Sequence, residues 1–216
     1  MRWVKYKQVI ENFFSLSILN ALNVLLPLVT LPYMLHVVGK ANYGAYSYVY
    51  AVVQYVILFS TYGFNFSATK QISQCRDDKE KVSKIYNAVT ASKTLIALSL
   101  SVLLLLCAKL VFKDGVGTLM FVYGLGMVIG DVLTPIWLFQ GMEKMKYMTI
   151  VNASSKILFT ILIFIVVRAS EDYQLLILLN SCGYLLAGLL SLILVCRQFH
   201  LRLHWATWSD IRMQLK

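Results

Sequence analysis

Six apolar runs, each about 20 residues or longer, constrain this chain more than anything else in it. They fall at about 13–37, 43–63, 85–112, 117–140, 147–167 and 173–196. A hydrocarbon core about 30 Å thick needs roughly 20 consecutive apolar residues in a helix. Stretches such as "LSLSVLLLLCAKLVF" and "ILFTILIFIVV" do not alternate, so they are not strands of a membrane β-barrel. Composition agrees: 59% of residues are hydrophobic and 14% charged, against about 45–50% and about 25% in soluble domains. The expectation is an all-α integral membrane protein, with a six-helix transmembrane bundle in residues 1–196 and a tail in 197–216. The first run is too long for a cleavable signal and no small-residue cleavage site follows it, so it should remain as a membrane helix.

The net charge of +10 reads as topology rather than nucleic-acid binding. The N-terminus carries Arg2, Lys5 and Lys7, and the connection after the second run carries Lys70, Arg76, Lys79, Lys81 and Lys84. The connection after the fourth run carries Lys144 and Lys146, and the tail carries Arg197, Arg202, Arg212 and Lys216. All of these alternate to one side, whereas the other side holds only Lys40, Lys109, Lys113 and Arg168. The positive-inside rule then places both termini in the cytoplasm. In the tail, Trp205, Trp208, Ile211 and Leu215 recur at helical spacing, which predicts an amphipathic helix on the membrane surface between His204 and Lys216. The segment "KQISQCRDDKEKVSK" (Lys70–Lys84) reads as a solvated connector, with Asp77–Asp78 part of it. The four cysteines match no disulfide framework or zinc spacing and read as small apolar filler.

Polar residues inside the runs carry the functional signal, because an ionisable group at mid-membrane costs about 2.5–3.5 kcal/mol and tends to face a cavity or a partner. Lys93 in "NAVTASKTLIAL" and Lys156 in "NASSKILFTIL" share a context: Asn-Ala, small polar residues, a lysine, then apolar residues. Each lies roughly 13 Å past the start of its run at about 1.5 Å per residue. Two such helices suggest a wet cavity opening to the cytoplasm, whose ammonium groups suit an anionic substrate, phosphate especially. Asn23 and Asn152 are candidate contacts in the same cavity. The alternative for both lysines is snorkelling to the interface. Asp131 pairs with one of the lysines, binds a coupling proton or sodium ion, or bonds locally. The three prolines, Pro27, Pro32 and Pro135, all sit in apolar runs. Proline frees the carbonyl four residues earlier, which for Pro27 is Asn23 and for Pro135 is Asp131. They are candidate hinges, and the hinge reading asks that Asn23 face the bundle interior. "GLGMVIG" lacks the spacing of a dinucleotide fingerprint, and Gly126-x-x-x-Gly130 reads as a helix-packing pair. No phosphate-binding loop, metal-ligand set or catalytic constellation stands out, so no cofactor or metal is expected and transport is favoured over catalysis.

Three stretches, "PLVTLPYMLHVVGKANYGAYSY", "YGFNFSATKQIS" and "PIWLFQGMEKMKYMTIVN", resemble the polysaccharide (O-antigen) flippases of the multidrug/oligosaccharidyl-lipid/polysaccharide exporter superfamily. The resemblance implies a transporter, not an enzyme, of the bacterial inner membrane. Its members move a polyprenyl-pyrophosphate-linked oligosaccharide from the inner to the outer leaflet for lipopolysaccharide and related surface polymers. The implied partners are that substrate, the bilayer and the polysaccharide polymerase machinery. Members work by alternating access between two six-helix lobes and usually have about twelve spans. This chain resembles the N-terminal lobe of such a twelve-helix exporter, which suggests a truncated or half-length member. Two other classes stay open: a small-molecule exporter of the same superfamily, and a membrane-embedded glycosyl- or acyltransferase.

Overall fold

The computed structural model describes residues 2–112, 115–201, 204 and 207–214, with side chains from residue 10 onward except those of 116, 209 and 213. The helices are α1 (Arg2–Val37), α2 (Gly39–Thr61), α3 (Phe64–Gln74), α4 (Lys79–Val111) and α5 (Val116–Leu133). After them come α6 (Ile136–Gly141), α7 (Met145–Val166), α8 (Tyr173–Arg197) and α9 (Trp208–Gln214), with a 3₁₀ turn at Ser170–Asp172. No strand occurs among the described residues. Six stretches are long and apolar enough to cross a membrane, so the protein is a multi-pass α-helical membrane protein. Two of the six are broken helices. α2 and α3 form one span interrupted at Tyr62–Gly63, where both residues take left-handed φ values of 41° and 77°. α5 and α6 form another, interrupted at Thr134–Pro135.

The second span runs farther than its apolar core suggests, to Gln74. α3 has low mean hydropathy, yet Phe64, Ala68 and Ile72 at i, i+4 and i+8 form a buried stripe packed on Trp137 and Leu138. The charged connector is therefore short. Only residues 75–78 leave helical geometry, because Asp78 caps α4 by accepting the Lys81 N–H at 3.1 Å. That bond, followed by the Lys81 ammonium, holds the Asp78 carboxyl below the usual carboxylate range.

Hydrogen bonds at both ends fix the up-and-down order. At the N-terminal face, Asn12 on α1 brackets the α6–α7 turn, donating to the Glu143 carbonyl at 3.1 Å and accepting from the Met145 N–H at 3.2 Å. Arg76 reaches the same turn, donating to the Gly141 carbonyl at 2.7 Å and pairing with Glu143 at 2.6 Å. Glu143 holds a left-handed φ of 54° within this knot. At the opposite face, Tyr33 donates to the Val167 carbonyl at 2.8 Å and Asn42 to the Ser170 carbonyl at 3.1 Å.

α5 and α8 form the closest seam. A Cβ on Gly130 would overlap the Tyr184 carbonyl, one on Gly126 would stand 2.8 Å from the Ser181 Cβ, and one on Gly188 would stand 3.0 Å from the Gly130 oxygen. The Gly126–Gly130 pair is thus a packing device, and small residues let the backbones meet. Ser181 adds a hydrogen bond to the Tyr123 carbonyl at 2.6 Å across the seam. Apolar side chains such as Leu98, Val102, Leu106 and Leu110 remain exposed along α4, as lipid contact requires.

The tail helix α9 begins at Trp208, which is exposed, while Ile211 is buried. It is tied to α3 by a reciprocal amide pair between Gln71 and Gln214 at 3.1 and 3.3 Å. Trp205, Leu215 and Lys216 of the expected amphipathic face lie outside the described residues.

Candidate functional site

α1, α2, α5, α7 and α8 enclose a cavity of about 420 Å³ within the bundle, in the range of small-molecule sites. Its wall is polar for a membrane interior. α2 contributes Tyr43, Tyr46, Tyr50 and Gln54, and α8 contributes Asn180 and Tyr184. These groups are braced across the helices: Asn180 donates to the Tyr46 hydroxyl at 3.0 Å, and Gln54 donates to the Tyr184 hydroxyl at 3.0 Å. Buried polar groups need such partners, and the bonds fix the ring planes. Sequence reasoning passed over the tyrosines. The missed signal was their spacing, since Tyr43, Tyr46, Tyr50 and Gln54 follow one helical face at i, i+3, i+7 and i+11.

The two lysines that look alike in sequence have different surroundings. Lys156, half-buried on α7, lines the cavity together with Asn152 and Ser155. Among the described residues its ammonium has no ion pair and no hydrogen bond. Lys93 does not line the cavity. It is 5% exposed, and its Nζ lies 2.8 Å from Asp131 Oδ2 and donates to the Asp131 main-chain carbonyl at 2.9 Å. That carbonyl is the one Pro135 leaves without its α-helical donor. α5 ends two residues on at Leu133, and the Thr134 N–H offers a longer bond of 3.2 Å to the same oxygen. One ammonium therefore neutralises the carboxylate and satisfies the freed backbone oxygen at the helix break. Asp131 also faces the cavity, so the paired carboxylate is part of its wall.

Asn152 turns back on its own helix, donating to the Met148 carbonyl at 2.9 Å while lining the cavity. Pro27 lies at the cavity lip, Pro32 is exposed and away from it, and Pro135 is buried at the break between α5 and α6. α1 passes both of its prolines without interruption. Asn23 is exposed and is not part of the cavity wall, so the orientation that the hinge reading asked of it is not met. It lies one turn before Pro27 on the stripe that continues to Thr30 and Met34, the α1 residues that do line the cavity. The stripe passes from the cavity to an open surface between Pro27 and Asn23.

No cluster of three or more metal-ligating side chains occurs among the described residues. Asp78 serves as a helix cap, and the four cysteines are unpaired.

These features define a class: a multi-pass membrane protein whose helices wall a polar cavity that presents Lys156, without an ion pair among the described residues, and the carboxylate of the Lys93–Asp131 pair. Residues 9–216 match the family described as "Polysaccharide biosynthesis protein", and the chain belongs to that family. It is 33% identical over 188 residues to a protein of Escherichia coli (strain K12) described as "Putative O-antigen transporter", a match covering 87% of this chain and 45% of that relative. A Shigella dysenteriae protein of the same description is 28% identical over 186 residues, covering 86% of this chain and 46% of the relative. The chain spans about half the length of these curated relatives. No solved structure matches it.

Proposed function

We propose that the chain is the N-terminal lobe of a flippase for a polyprenyl-pyrophosphate-linked oligosaccharide, moving it from the inner to the outer leaflet of a bacterial inner membrane for surface-polysaccharide synthesis. The observation that carries this reading is the Lys156 ammonium, unpaired among the described residues, on the wall of a cavity lined by tyrosine hydroxyls and amides. A lone ammonium in a membrane interior is costly without a partner, and a pyrophosphate supplies one as a charge-assisted acceptor. The tyrosine and amide groups suit hydroxyl-rich sugar next to it. The lipid tail stays in the bilayer.

In this scheme Lys156 and Asn152 contact substrate directly, and Asn23 lies on its route at the cavity mouth. Lys93 acts through Asp131, which is the position for ion coupling. The break at Pro135 is where the lobe flexes. Both termini face the cytoplasm, as the basic residues direct. A second six-helix lobe gives this one something to rock against, and the polymerase machinery takes over the flipped unit. The protein carries out no bond chemistry. Lys156, with no ion pair among the described residues, disfavours cationic drugs as cargo, and Asp131, held by the Lys93 ammonium, is not free to take part in group transfer.

The test is Lys156→Met in an otherwise complete transporter, read as surface polysaccharide at matched membrane levels of protein. Export should fall at least tenfold. Normal export by this variant would overturn the cavity-cation reading.

A further inference from the structure

We propose that the break between α5 and α6 is a monovalent-cation site which Lys93 occupies as a tethered cation, closing Asp131 to sodium. The site consists of two oxygens from one residue. Asp131 Oδ2 is inaccessible and has no hydrogen-bond partner among the described residues, its contact with Lys93 Nζ at 2.8 Å being an ion pair. The Asp131 carbonyl is the oxygen released by Pro135, and the same Nζ reaches it at 2.9 Å. A carboxylate beside freed carbonyls at the negative end of a broken membrane helix is the chemistry that coordinates a small cation. Thr134, next along the break, donates its hydroxyl to the Gly130 carbonyl at 2.8 Å. The ammonium is a compact point charge on a flexible stem. Lys93 delivers it from α4 onto both Asp131 oxygens at once.

The inference deepens the reading of Asp131 as the ion-coupling residue, and it rests on that reading only for its consequence in transport. With the ammonium in place, sodium has no room at these oxygens. The titratable and charged groups around the pair, besides Lys93 on α4 itself, are those lining the cavity that Asp131 faces: Tyr184 on α8, Tyr43, Tyr46 and Tyr50 on α2, and Lys156 on α7.

The experiment measures thermal midpoints of purified protein in sodium chloride and in choline chloride at equal ionic strength. Wild type should show the same midpoint in both salts. Lys93→Met uncovers the site, so its midpoint should fall in choline and rise in sodium by at least about 2 °C. The double variant Lys93→Met/Asp131→Asn removes the carboxylate as well and should respond equally to both salts. A sodium-specific rise in wild type would overturn the proposal, as would a Lys93→Met protein that sodium fails to recover or a double variant that still responds to sodium. The readout is stability, so a failure here is separable from a failure of the flippase reading, which is tested by export through Lys156.

Discussion

The α5–α8 seam links packing to the site, and Gly130 is where it can be tested. The obstacle to a Cβ at Gly130 is the Tyr184 carbonyl, part of the α8 backbone and not the end of a flexible side chain. In Gly130→Ala the helices must part by roughly 1 Å to restore ordinary carbon contact distances. Overpacking of this kind costs about 1–3 kcal/mol, and a rigid obstacle argues for the upper part of that range. Replacing glycine by alanine within a helix returns about 0.5–1 kcal/mol. The net loss is about 1–2 kcal/mol, which lowers the thermal midpoint by roughly 2–8 °C for a chain of this size. Gly44→Ala is the control, since nothing lies within 4 Å of a Cβ there, and its midpoint should hold or rise. The displacement also moves Tyr184, whose hydroxyl accepts from Gln54 at 3.0 Å in the cavity wall. Export in a complete transporter should therefore fall together with stability. A Gly130→Ala protein as stable as Gly44→Ala would refute the close-approach argument.

Lys156→Met, besides losing export, should keep or raise the thermal midpoint, because a half-buried ammonium unpaired among the described residues opposes folding; a lower midpoint would mean that Lys156 has a structural partner. Arg76→Ala should cost about 1–2 kcal/mol in chemical denaturation, mainly through the charge-assisted bond to the Gly141 carbonyl, since the half-exposed Glu143 pair is worth less. Glu143→Gln should therefore cost less than Arg76→Ala, and the reverse order would contradict this. The Asp78 carboxyl has a lowered folded-state pKa, so its cap stabilises α4 above the ordinary carboxylate range and is lost as pH falls through the depressed folded value. Hydrogen-exchange protection of the Lys81 amide should drop across that acidic window, and constant protection there would sink the cap assignment.

Much of the architecture was legible in the residues. The six spans, the absence of strands among the described residues and the Gly126–Gly130 packing pair all follow from local composition and spacing. The family is carried by stretches that pack on one another in the fold. Thr69 of "YGFNFSATKQIS" donates to the Trp137 carbonyl of "PIWLFQGMEKMKYMTIVN" at 3.2 Å, and a Cβ on Gly141 would meet the Thr69 carbonyl at 3.1 Å. Less legible was the segment from Lys70 to Lys84, where charge density suggested a solvated loop. Most of it is helical, because Ile72 and Val82 anchor either side of the turn in the buried cluster that holds Trp137 and Leu138.

The sequence by itself determined how many times this chain can cross a membrane and that Asp131 precedes a proline by four residues, the proline at which α5 ends. Each of these is a property of one segment, set by its summed transfer energy or by a missing N–H. Only the tertiary structure decided which lysine is spoken for. Lys93 and Lys156 have nearly the same local context, but pairing depends on the depth and rotation of one helix against another, to which hydropathy is blind. α4 packs on α5 so that Lys93 meets the oxygens at the Pro135 break. α7 instead brings Lys156 to a wall of tyrosines and amides, where it makes no ion pair among the described residues.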